Sequence, residues 1–189
     1  MRKQMILGSL LILGAAGSAA AADGLSYNLL EGGYSYTDIK GTSGHGNTLW
    51  VGGSHALGSN LYGFGNLASL DYSGGGNAKY LNLGVGYHGA ISSAVDFTSG
   101  LSIEFVDYKG GGSDTGAGLS VGLRGKASDS LELMGGVKYV DWGGSDGIEF
   151  SVGSRYYFTP AFAAGLDLSM DDDSDTTTIG ITFRYDFGM

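Results

Sequence analysis

Nine charged side chains sit inside otherwise apolar, glycine-rich stretches of this 189-residue sequence: Glu31, Glu104, Arg124, Lys126, Glu132, Lys138, Glu149, Arg155 and Arg184. Around them apolar residues recur at every second position, and the charges take the opposite parity. Asp96, Asp167 and Asp186 share that parity, which makes seven acids against five bases. Charges gathered in a confined polar interior have three uses. They neutralise one another as a packed polar core, they set the ion preference of a water-filled pore, or they act as acids and bases on a substrate. Unpaired charge in a constricted interior is costly, so mutual pairing is the first expectation. Inward glycines (Gly33, Gly84, Gly86, Gly100, Gly122, Gly136, Gly153 and Gly180) remove side-chain volume and keep the pore reading open.

Catalysis is the weakest of the three. Acid–base or nucleophilic chemistry needs a histidine close to a serine or aspartate. His55 and His88 fall towards one end of their strands, and only His45 falls in a polar loop where Asp38, Asp114 or Ser43 could join it. No enzyme activity, cofactor or metal is expected. Gly84-Val-Gly86-Tyr-His-Gly89 matches a dinucleotide fingerprint letter for letter, but it lies inside a strand and opens no helix. Asp171-x-Asp173-x-Asp175 imitates the start of a calcium loop, yet the sixth position is Thr176 and the twelfth is Thr182.

The elements that position these residues are strands. In the run Ile179 to Phe187, Ile179, Ile181, Phe183, Tyr185 and Phe187 share one parity, and Gly180, Thr182, Arg184 and Asp186 share the other. Successive strand residues point to opposite faces, so one face is apolar and the other polar. The same pattern predicts ten strands, about Leu25–Asp38, Thr48–Leu57, Leu61–Tyr72, Lys79–Ala90, Ala94–Tyr108, Gly116–Ala127, Ser130–Val140, Ile148–Phe158, Ala161–Met170 and Ile179–Phe187. The facing of the second is ambiguous, because Leu49 and Val51 share parity with His55 while Trp50 takes the other side. Tyr62, Phe64, Ala68, Leu70 and Tyr72 read as the apolar side of the third.

Connections alternate between longer loops and tight turns, as in up-and-down membrane barrels. Each strand is close to the roughly 9–11 residues that cross a bilayer at a ~45° tilt. Aromatics cluster at both strand ends. Tyr62, Phe64, Tyr87, Phe97, Phe158, Phe162, Tyr185 and Phe187 lie near the turns, and Tyr34, Tyr36, Tyr72, Phe105, Tyr139 and Phe150 near the loops. Two such belts are expected at two bilayer interfaces. The competing architecture is a secreted two-sheet sandwich with its charges in water.

Met1-Arg2-Lys3, an apolar run to about Gly17 and Ser18-Ala-Ala-Ala-Ala22 have the form of a secretory signal peptide. Cleavage is placed after Ala22, with residues 23–189 as one barrel domain. That removes two bases and leaves 8 against 19 acids, a net charge of −11, which disfavours nucleic-acid binding. There is no cysteine, so disulfides and thiolate sites are excluded. The 37 glycines would suit disorder, but 12 tyrosines, 8 phenylalanines and 2 tryptophans at regular spacing do not.

Thr178-x-Gly180-x-x-Phe183-x-Tyr185-x-Phe187 resembles the C-terminal assembly signal of bacterial outer-membrane β-barrels, with Gly188 and Met189 following it here. The whole pattern is similar to the small OmpA/OmpX-like barrels and the broader porin-like superfamily. Asp23-Gly-Leu-Ser-Tyr-Asn28 with Glu31-Gly-Gly-Tyr34 looks like the start of small proteobacterial outer-membrane proteins. The resemblance implies an all-β, up-and-down antiparallel transmembrane barrel of about ten strands, with eight as the alternative. It implies a location in the Gram-negative cell envelope and contact with outer-membrane lipid and lipopolysaccharide. Handling by periplasmic chaperones and the barrel-assembly machinery, and a monomeric state, go with it. The expected function is structural or surface interaction, with a narrow pore for small solutes. The alternatives are a dedicated cation-preferring channel, favoured by the acidic outer rim, and a small-barrel enzyme acting on lipid or peptide.

Overall fold

A computed structural model describes residues 22, 24–40, 44–73, 76–172 and 175–187. The expected signal peptide through residue 21, together with Asp23, Ser43, Asp173, Gly188 and Met189, lies outside the described residues. Ten strands follow in order: β1 (Leu29–Ile39), β2 (His45–Ala56), β3 (Leu61–Tyr72), β4 (Gly76–Ser92), β5 (Val95–Tyr108), β6 (Ser113–Ser128), β7 (Leu131–Asp141), β8 (Asp146–Tyr157), β9 (Phe162–Asp171) and β10 (Thr176–Asp186). Each pairs antiparallel with its sequence neighbours, and β1 pairs with β10 from Leu29↔Asp186 to Ile39↔Thr176. The sheet therefore closes into a ten-stranded up-and-down barrel with no free edge. Closure satisfies every ladder donor and acceptor, which a bilayer core requires.

Burial runs opposite to that of a water-soluble protein. Leu49 (66 % exposed), Leu101 (62 %) and Leu166 (58 %) point outward, while Asp96, Glu104 and Glu132 are completely buried. An outer surface of leucine, valine, isoleucine and aromatics around a charged interior fits lipid outside, and it excludes a sandwich with its charges in water. Tyr34, Tyr36, Phe105, Tyr139 and Phe150 mark the outer face near the loop end, and Phe158, Phe162, Tyr185 and Phe187 near the turn end. The structure resolves the facing of β2: Leu49, Val51 and His55 look outward and Trp50 looks into the lumen.

The third strand departs from the sequence reading. Leu61 and Leu67 face outward, whereas Tyr62, Phe64 and Ala68 face the lumen. Interior aromatics are accommodated because glycine lies beneath them. A Cβ at Gly86 would overlap the Tyr62 ring, and Cβ atoms at Gly84 and Gly100 would press on Phe64. Trp50 lies over Gly33 in the same way. These inward glycines make room for rings, so they do not widen the barrel.

Strands also extend further at the loop end than hydrophobicity predicts. β4 begins at Gly76 and β6 at Ser113, inside stretches that read as loops, and pairs such as Asp107↔Ser113 continue the ladder. Ladder hydrogen bonds do not need apolar side chains, so a hairpin can project beyond the membrane into water. At the other end, β1 starts at Leu29 and not at Leu25. Leu29 already faces Asp186, the last residue of β10, so earlier residues have no neighbouring strand on that side. Ala22, Leu25 and Tyr27 instead turn under the barrel and are buried against Ala56, Tyr62 and Ala90.

Candidate functional site in the barrel lumen

Parity sends alternate residues of every strand inward, and register sets which of them meet. At the turn end the result is a continuous chain of opposite charges. Arg124 of β6 donates to Glu132 of β7 from Nε (2.7 Å) and Nη2 (3.1 Å), and Nη1 donates to the carbonyl of Ser26 (2.6 Å). Arg184 of β10 donates to Glu132 from Nη1 (2.7 Å) and to Glu31 of β1 from Nε (2.7 Å). Arg155 of β8 donates to Glu31 from Nε (2.9 Å) and to Asp167 of β9 from Nη1 (2.8 Å). Three guanidiniums thus alternate with three carboxylates. The Tyr157 hydroxyl lies 2.8 Å from Asp186 and 3.1 Å from Glu132, and Thr182 donates to Asp167.

A second cluster lies nearer the loop end. Lys138 Nζ is 2.9 Å from Glu104 and donates to the Tyr80 hydroxyl (2.9 Å), while Tyr80 and Ser102 both donate to Glu104. Buried ion pairs hold together best when their remaining hydrogen-bonding positions are also filled, and hydroxyl groups fill several of them in both clusters, while Asp186 Oδ1 has no partner among the described residues.

Seven of the nine sequence-derived residues enter these clusters: Glu31, Arg124, Glu132, Arg155 and Arg184 in the first, Glu104 and Lys138 in the second. Lys126 stands apart, its Nζ 3.7 Å over the Tyr157 ring, a cation–π position. Glu149 faces Lys138 in the register of β7 and β8, but Lys138 turns to Glu104. Glu149 instead borders a cavity of about 420 Å³ with Trp50, Phe64, Asn66 and Asn82. The carbonyl oxygens of Asn66 and Asn82 line it without a protein partner among the described residues. A larger hollow of about 670 Å³, walled by Leu133, Val137, Phe150 and Val152, lies on the apolar outer side and carries little polar chemistry.

A third group caps the turn end. Asp96 of β5 accepts from the Tyr27 hydroxyl (2.8 Å) and from the backbone nitrogen of Ala22 (2.7 Å). The Tyr27 ring stacks on His88 at 3.8 Å. Burial pushes the Tyr27 hydroxyl well above the usual tyrosine range, so it stays a neutral donor. Tyr80 and Tyr157 were legible in principle, since they share parity with Asn82 and Arg155. Nothing in the pattern marked Tyr27, because it precedes the first strand.

The histidines stay apart from one another. His45 opens β2 opposite Asp38 of β1 and stacks on Tyr36 (5.7 Å). His55 is on the outer face beside Phe187 (6.4 Å). Among the described residues no three His, Cys, Asp or Glu side chains gather as a metal site.

In shape the barrel is similar to the KdgM porin in complex with disordered oligogalacturonate, at 10 % identity and a TM-score of 0.49, over 85 % of this chain and 99 % of that one. The NanC porin aligns at 8 % identity and a TM-score of 0.49, over 85 % and 100 %. The translocator domain of the autotransporter NalP from Neisseria meningitidis aligns at 15 % identity and a TM-score of 0.43, over 87 % and 90 %. No protein-family model matches the chain, and no curated protein matches its sequence.

Proposed function

We propose that this chain is exported by its N-terminal signal and inserted in the bacterial outer membrane. There it serves as a structural or surface-interaction barrel with a lumen too constricted for more than small solutes. The observation that carries the reading is the alternating chain Arg124–Glu132–Arg184–Glu31–Arg155–Asp167, which spans the lumen from β6 through β1 to β9. Salt bridges linked in series, buried at Arg124, Glu132, Arg184 and Arg155, form a fixed polar core. The barrel presents its apolar band to lipid, and its rim faces lipopolysaccharide. Periplasmic chaperones and the assembly machinery act on it before insertion, and it acts as a monomer. The reading contains no catalytic step and no cofactor.

A dedicated cation-preferring channel is the second reading. Asp38, Asp71, Asp107, Asp114, Asp141, Asp146, Asp171, Asp172 and Asp175 stand at the loop end against Lys40, Lys79 and Lys109. A mouth of that sign concentrates cations. The lumen cavity beneath it, bordered by Glu149, gives them somewhere to go.

Conductance of the refolded barrel in a planar bilayer decides between them. The first reading expects no steps, or only rare small ones. Stable, cation-selective steps in every insertion would replace it with the second. A chain that stays soluble and folded without detergent would remove both.

A further inference from the structure

The peptide N–H of Ala22 donates to Asp96 Oδ1 at 2.7 Å. Asp96 is completely buried. Its other oxygen accepts from the neutral Tyr27 hydroxyl. Among the described residues no lysine or arginine nitrogen reaches it. Arg124, its cross-strand partner, directs its guanidinium to Glu132 and Ser26. His88 Nδ1 lies 3.4 Å away without hydrogen-bond alignment. Glu31, Glu132 and Asp167 of the turn-end layer each pair with at least one arginine, whereas Asp186 has the Tyr157 hydroxyl and Asp96 has no fixed cation.

This site is also shaped. Ala22 is itself buried, and Leu25 donates to its carbonyl at 3.1 Å across a turn in which Gly24 has φ +77°. Glycine suits that third turn position because it adopts positive φ without strain. Leu25 and Tyr27 then anchor the segment under the barrel.

We infer that the precursor is cut between Ala21 and Ala22, one residue before the position the sequence alone suggests, and that the freed α-ammonium of Ala22 is the counter-charge of Asp96. Ala19-x-Ala21 meets the small-x-small requirement for cleavage as well as Ala20-x-Ala22 does. Water adds across the Ala21–Ala22 peptide bond, catalysed by the export machinery's peptidase. The carbon–nitrogen bond breaks, Ala21 leaves as a carboxylate, and the Ala22 amine takes up a proton. Cutting one residue later would remove the donor and place the acidic Asp23 first. The inference rests on the export reading above, and it makes processing the step that completes the turn-end plug.

The test is the intact mass and N-terminal sequence of the full chain purified from outer membranes, followed by amine labelling. A chain beginning at Ala22 is expected, and one beginning at Asp23 overturns the inference while leaving the barrel reading standing. An uncut chain, or one absent from the outer membrane, overturns the export reading itself. On the wild-type barrel, an amine-reactive acylating reagent is expected to modify the α-amine at least about tenfold more slowly than in the urea-unfolded chain, since local burial limits access. Equal rates overturn the inference. Asp96→Asn is expected to restore fast labelling of the folded barrel. If that variant does not fold, the wild-type rate ratio still decides.

Discussion

Arg184 on the last strand holds Glu132 on the seventh at 2.7 Å, Nη1 to Oε1, although β10 and β7 are separated in the barrel wall by β9 and β8. The contact therefore crosses the lumen and does not run along its surface. Both side chains are almost fully buried, and Arg124 meets the same carboxylate from the other side. A cross-brace of this kind fixes the barrel's section and fills its centre. Removing one partner leaves charge without compensation in a low-dielectric interior. Glu132→Ala, which leaves Arg124 without a carboxylate and Arg184 with Glu31 alone, should destabilise the barrel by about 3–5 kcal/mol. The measurement is the urea midpoint of unfolding in detergent, read by loss of the compact, heat-modifiable gel band. An unchanged midpoint would show that water reaches the network and screens it.

The ring-over-glycine packing gives a second expectation. Gly86 on β4 faces the lumen directly beneath the Tyr62 ring of β3, so Gly86→Ala overpacks the interior by one methyl. Overpacking in a well-filled interior costs about 1–3 kcal/mol. Tyr62→Ala removes the obstacle, and the double variant should tolerate the extra methyl at little further cost. A thermodynamic cycle of the four proteins measures this coupling, and strict additivity would mean that the two residues do not touch.

That pair also shows where sequence reading reaches its limit. Strand number, antiparallel order and closure follow from period-two alternation and turn spacing, because one buried face and one lipid face leave a two-residue signature in nearly every strand. The lumen charges were legible for the same reason. Tyr62 and Phe64 were not, since apolar residues inside a barrel look the same in sequence as apolar residues outside it. Only the glycines opposite them, Gly84, Gly86 and Gly100, show which way they point, and seeing those needs the register. The segment Ala22–Asn28 was hidden for a different reason. Leu25 and Tyr27 alternate like strand residues, but β10 ends opposite Leu29 and leaves them no strand partner on that side.

The apolar band predicts an asymmetry between the two faces of one strand. Leu166, midway along β9, looks outward, and its neighbour Asp167 looks inward to Arg155. Leu166→Arg places a guanidinium against the hydrocarbon core and should cost about 2–4 kcal/mol in lipid. The same substitution should be milder in small detergent micelles, where water is close to every depth. Equal stability of Leu166→Arg and wild type in lipid vesicles, measured by urea unfolding, would be incompatible with a membrane-facing band at this height.

The aromatic end of β10 separates assembly from stability. Phe183, Tyr185 and Phe187 all lie on the outer surface, and Gly180 lies on the inner face against Ser35. The ring neighbours of Phe187 are His55 and Tyr185, each centred 6.4 Å away. Contacts of that kind contribute about 1 kcal/mol, so Phe187→Ala should refold into detergent almost as wild type does. On the proposed reading, this outward aromatic is what the assembly machinery would recognise before the strand closes on β1. In cells, Phe187→Ala should therefore lower the yield of heat-modifiable barrel in the outer membrane several-fold, with unassembled chain collecting in the periplasm. Paired measurement of cellular yield and in vitro refolding separates the two roles. A matched fall in both would make Phe187 a stability residue, and wild-type behaviour in both would remove the assembly signal from this strand.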